Sequence, residues 1–149
     1  MGAGAAGPLA LALVAMLTAI GVLHLSWAFG VVWPGTDPAS LAATVVGTRG
    51  GAAPGAVPTL LVAVAILAGA ALVFVVSARV LGAGPLATLA LIAYLGLAAV
   101  FLLRGLSVFV PAVWRYAEGT PFHRLNQLVY SPLCLLIAAG LLVNLRLAR

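Results

Sequence analysis

The chain has 149 residues, of which 65% are hydrophobic and 6% charged, with a mean hydropathy of +1.29. That composition excludes a soluble domain, and the length leaves room for one compact bundle with no separate globular domain beside it. The formal net charge of +5 comes from seven arginines and two acids scattered over loops and ends. Nucleic-acid recognition needs clustered cations on one face, so no nucleic-acid partner is expected; the balance suits anionic lipid headgroups.

Four apolar runs are long enough to cross a bilayer, which takes about 20 helical residues at 1.5 Å rise. They are expected at residues 8–32, 58–78, 85–110 and 121–145. Prolines mark their starts, because a proline in the first turn lacks only an N–H that would be orphaned anyway. The first run has no basic n-region, is too long for a signal peptide and lacks a clean small-residue cleavage site, so it is expected to be retained. It carries His24 and Trp27 three residues apart on one face, with His24 about 13 Å before Trp33 along the helix. A histidine there needs a hydrogen-bond partner; it serves as a neutral donor to another helix, or as an acid/base or metal or haem ligand.

The first loop, Trp33 to Val57, changes character midway. Asp37-Pro38 reads as an N-cap followed by proline at the first helical position, and Gly47 as a stop. A short helix over Pro38 to Val46 is therefore expected, lying in the interface over the bundle mouth. The glycine-rich run Gly47 to Gly55 supplies a flexible return. In the second span Ala65 and Gly69 are spaced as close-packing residues. Arg79 to Gly84 then forces a tight antiparallel hairpin.

Arg104 follows several apolar turns of the third span. A guanidinium in hydrocarbon costs about 2.5–3.5 kcal/mol on insertion scales, so it should face the bundle interior or snorkel outward. The fourth span places His123, Asn126, Gln127, Tyr130 and Cys134 along one side by steps of three and four. Pro132 lacks an amide donor, which predicts a kink one turn below Tyr130. Asn126, Gln127 and Tyr130 are either interhelical glue or part of a site; His24, Arg104 and Tyr130 can share a level. Polar and aromatic residues thus gather at one end of the bundle. The other end offers little beyond Arg79, Arg146 and Arg149.

The string His24-Leu25-Ser26-Trp27-Ala28-Phe29-Gly30 with Trp33, the Arg104-Gly105 pair, and Pro121-Phe122 leading to Tyr130-Ser131-Pro132-Leu133-Cys134 resemble a family of small bacterial four-span membrane proteins with no assigned function. The resemblance covers nearly the whole chain and implies the fold without a reaction. It also implies an aspartate one turn before the tyrosine, where this chain carries Asn126.

Absences narrow the functions. Both acids lie in loops, against a proton-coupled exporter; the single Cys134 excludes a disulfide redox centre; two histidines do not make a multi-haem cytochrome. No phosphate loop, metal-ligand cluster or serine triad occurs, and the residues name no cofactor. The fold class is an all-α integral membrane antiparallel four-helix bundle with a short interfacial helix in the first loop. Two functions remain. One is a lipid- or hydrophobic-molecule-binding or accessory protein, docking a membrane partner or a second copy, with His24, Trp27, Arg104, Asn126, Gln127 and Tyr130 at its site. The other is a membrane enzyme acting on a lipid or isoprenoid-like substrate, with His24 or Tyr130 as acid/base and Arg104 stabilising negative charge. Arginine placement leans toward both termini in the cytoplasm, with all three tryptophans in the outward half.

Overall fold

The computed structural model describes residues 6–49 and 53–147, so Arg149 and the middle of the expected glycine-rich return, residues 50–52, lie outside the described residues. Helix α1 (Pro8–Ala28) begins at its proline and ends where Gly30 takes a left-handed φ of 88°. The amides of Gly30 and Val31 there bond back to Trp27 and Ser26 carbonyls. A glycine adopts that backbone without Cβ strain, and this closes the helix before the expected Val32. Helix α2 (Pro38–Val45) carries the expected cap in full: Asp37 accepts from the Ser40 amide, and the Ser40 hydroxyl reaches back to the Asp37 amide. This reciprocal arrangement satisfies two amides that the first turn leaves open.

The second and third spans are α3 (Ala56–Ser77) and α4 (Pro85–Leu106), the latter prolonged by a 3-10 turn, Ser107–Phe109. A short helix α5 (Pro111–Trp114) and a second 3-10 turn (Arg115–Ala117) fill the next loop. The fourth span, Pro121–Leu147, is composite: α6 (Pro121–Leu125), a π-helical segment (Asn126–Tyr130) and α7 (Ser131–Leu147). A kink was expected one turn below Tyr130; the irregularity seen is instead a widened turn that ends at Tyr130, just before Pro132. Such π segments often mark functional places, because they rotate side chains out of α register.

Four helices are long and apolar enough to cross a membrane, with span hydropathies of 2.1 to 2.9. Their outer faces are as apolar as their inner ones, as at Leu61, Leu86, Leu103 and Leu136, all more than 60% exposed. A helix hydrophobic all round suits lipid on one side and protein on the other. The protein is an all-α multi-pass membrane bundle.

Packing runs in a ring: α1 on α3, α3 on α4, α4 on α7, and α7 back on α1. The core holds Leu13, Leu17, Val73, Tyr94, Ala98, Ile137 and Leu141. Lipid is as apolar as leucine, so helices associate through close contact rather than water release. Each interface uses a glycine for this. A Cβ on Gly21 would lie 2.7 Å from Leu67, on Gly69 3.0 Å from Leu97, on Gly105 2.6 Å from Leu135, and on Gly140 3.0 Å from Leu13. Ala65, read with Gly69 as a packing pair, is instead exposed; Ala63 and Ala70 are the buried small residues beside Gly69.

Candidate functional site

Arg104 sits in the last turn of α4, where the unpaired carbonyl ends of the helix favour a cation. Its side chain turns toward the fourth span. One guanidinium nitrogen donates to Asn126 Oδ1 at 2.8 Å and the other to Ser131 Oγ at 3.3 Å; the Ser131 hydroxyl itself donates to Asn126 Oδ1 at 3.1 Å. Asn126 and Ser131 are almost wholly buried, and Arg104 is half-buried. Asn126 opens the π segment and Ser131 follows it. The widened turn lets both face the arginine although they are five positions apart.

The indole of Trp114 covers the guanidinium at 4.5 Å, a cation–π contact. Its ring N–H donates to Ser107 O at 2.8 Å, and the Ser107 hydroxyl donates to Arg104 O at 2.6 Å. Trp114 also packs on Phe122, and Phe122 on Tyr130, with centroids 5.5 and 5.7 Å apart. Trp114, in the third loop, and Phe122 and Tyr130, in the fourth span, thus form a lid of aromatic rings over the cluster.

Helix α2 lies against α6 and completes the cover. The Tyr130 hydroxyl donates to Thr44 O at 3.1 Å, and that of Tyr116 to Val46 O at 3.0 Å. Gly47, at φ 90°, marks a close approach: a Cβ there would meet Ala117 at 2.6 Å and Phe122 at 2.9 Å. Outside the membrane, the Asp37 carboxyl is held below its ordinary value of 3.8, chiefly by the backbone hydrogen bond from Ser40.

The remaining candidates fall elsewhere. His24 Nδ1 lies 2.8 Å from Ile20 O within its own helix, and its ring packs on Trp27 at 4.8 Å. Trp27 donates from its indole to Trp33 O at 2.6 Å. Gln127 donates from its amide to His123 Nε2 at 3.2 Å and faces outward. His123 Nδ1 and Thr48 Oγ1 are enclosed without a protein hydrogen-bond partner. The structure thus joins Arg104 to Asn126. Tyr130 serves α2, and the hydrogen bond of His24 stays within α1. Ser131 and Trp114, the other partners of Arg104, were legible only as part of a motif and of an aromatic-rich end.

Beside the cluster, a groove of about 320 Å³ opens on the outer surface between the end of α4 and the fourth span. Val108, Phe109, Pro132 and Leu135 give it apolar walls, and Gln127 and the buried Ser131 complete its lining. Ser131 is thus shared between groove and arginine. Among the described residues no group of three His, Cys, Asp or Glu side chains is placed to hold a metal.

The opposite end is less blank than the sequence implies. The hydroxyl of Tyr94, fully buried, donates to Leu141 O at 2.9 Å and accepts from Asn144 Nδ2 at 3.0 Å; Asn144 also donates to Ser77 Oγ at 2.8 Å. Two polar residues inside apolar runs were the available signal.

These features define a small four-span α-helical membrane protein with a cationic polar cluster under an aromatic lid. The chain belongs to the family described as "Protein of unknown function (DUF3995)", whose model matches residues 17–141. No curated protein and no solved structure matches it.

Proposed function

We propose that this protein, acting as a single four-span domain, binds a lipid or other hydrophobic molecule in the groove between α4 and the fourth span. The observation that carries this reading is the groove itself: apolar walls open to the lipid, with Ser131 and Gln127 beside an arginine held by Ser131. Such a mixture of apolar lining and a few placed polar groups suits an amphiphile. A catalytic role for His24 and Tyr130 would need both to face one substrate space. Their hydrogen bonds run to Ile20 O and Thr44 O, which favours binding over turnover.

The test is to fill the groove. Val108→Trp should abolish copurification of the bound molecule, read by mass spectrometry of the intact protein released from detergent, while leaving thermal stability near that of the parent. Retention of the same molecule at the same yield would place its site elsewhere. We further propose that both termini lie in the cytoplasm and the first loop outside. Cysteines placed singly in the first loop and the Arg79 to Gly84 hairpin, in a Cys134→Ala background, decide this with an impermeant thiol reagent on intact cells. Labelling of the hairpin alone reverses the orientation.

A further inference from the structure

Among the described residues Arg104 has no anionic partner. Its contacts are a neutral amide oxygen, a neutral hydroxyl and an indole face. The chain's two acids, Asp37 and Glu118, are both exposed in loops, and among the described residues no carboxylate pairs with the guanidinium. Two of its five N–H groups are used, leaving three without a protein partner among the described residues. A half-buried cation at the end of a membrane helix with spare donors calls for an anion.

The groove on the far side of Ser131 supplies the second half of the argument. Its walls, Val108, Phe109, Pro132 and Leu135, suit hydrocarbon, and its two polar residues, Gln127 and Ser131, are neutral. We infer that the groove holds a phosphate-bearing anionic lipid, an acyl chain lying along Phe109 and Leu135 and the head group at Gln127 and Ser131, where Arg104, outside the lining but bonded to Ser131, attracts it with its charge and spare donors. Guanidinium and phosphate match as a planar fork against paired oxygens, and an ammonium does not reproduce that geometry. This inference rests on the lipid-binding reading above and adds the charge of the head group to it.

The test uses the full chain in detergent, equilibrated with equal amounts of dioleoyl phosphatidylglycerol and dioleoyl phosphatidylcholine and read by native mass spectrometry. One phosphatidylglycerol per chain should be retained over phosphatidylcholine by about tenfold, because both carry the phosphate but the choline ammonium cancels its charge and is repelled by Arg104. Arg104→Gln, which keeps hydrogen-bonding capacity, should erase the preference, and Arg104→Lys should restore part of it. Thermal melts of each variant without lipid show whether it is folded. Should Arg104→Gln not fold, the parent's preference for phosphatidylglycerol over phosphatidylcholine, lost on Val108→Trp, decides in its place. Equal, saturable retention of both lipids would overturn the anionic head group while leaving lipid binding intact. Retention of neither would overturn both. Displacement of phosphatidylglycerol by millimolar inorganic phosphate would assign the anion to a free ion and overturn the lipid.

Discussion

Two polar clusters join α4 to the fourth span, one at each end, and they differ in kind. At the end holding the short hairpin, Tyr94, Asn144 and Ser77 are neutral and form a chain in which the Tyr94 hydroxyl both donates and accepts. At the other end, Arg104, Asn126 and Ser131 hold a charge, keep donors in reserve and adjoin a groove. The neutral cluster meets its own needs inside the bundle, as interhelical glue does. The charged one makes its guanidinium hydrogen bonds to the fourth span alone and leaves donors open. Polar groups in a membrane bundle are therefore better classed by what they leave unsatisfied than by how polar they are.

The contrast is broken most forcefully at Asn126. Asn126→Leu removes the 2.8 Å acceptor of a half-buried guanidinium, and should cost about 1.5–3 kcal/mol in reversible unfolding in mixed micelles, the range for hydrogen bonds to charged groups. The double variant with Arg104→Leu should recover part of that loss, since no charge is then stranded. A cost no larger than that of Tyr94→Phe would make the two clusters equivalent.

Gly105, next to Arg104, tests whether the charged cluster needs helices this close. Gly105→Ala brings a Cβ to 2.6 Å from the Leu135 side chain and 3.1 Å from its backbone nitrogen, and should cost about 1–3 kcal/mol by the same assay. Gly96→Ala, on the same helix where an added Cβ meets nothing, should raise stability slightly through helix propensity alone. Equal effects at both positions would mean that the α4–α7 approach is not tight.

At the neutral end, Tyr94→Phe removes one donor and one acceptor, but Asn144 keeps Ser77. The expected loss is about 0.6–1 kcal/mol, ordinary for a membrane hydrogen bond. A loss above that of Asn126→Leu would reverse the ranking of the ends.

The smallest effect concerns the cover. Only the charged end is roofed by α2, whose cap depends on ionised Asp37. Its carboxyl is held below its unfolded value, so its contribution is present above about that value, 3.8, and fades as pH falls through the lower folded value. Hydrogen exchange at the Ser40 amide should accelerate in that acid window, while exchange in α4 around Tyr94 should not. A uniform response along the chain would show that α2 is not a separately melting lid.

Much of this arrangement was legible in the sequence. Spans long enough for a bilayer, the Asp37-Pro38 cap and a polar, aromatic-rich end all follow from periodicity and local chemistry that do not depend on neighbours. An inward-facing Arg104 was one of two readings, beside outward snorkelling, and Asn126 was one of three candidate partners with Tyr130 and His24. The three were not separable by spacing, because the hydroxyl and the ring can reach several partners at one depth. Ala65 was misplaced because alanine is common on every face of these helices.

Composition and local signals by themselves determined a membrane protein of four helices with one chemically busy end, because hydrophobic length and capping are properties of short segments. Tertiary structure alone decided which glycine receives which leucine, that a π segment turns Asn126 and Ser131 onto one guanidinium, that Tyr130 serves α2, and that Tyr94 meets Asn144 at the seemingly blank end. Those choices depend on helix rotation and on separations of a few tenths of an ångström between elements distant in sequence. No local pattern encodes them.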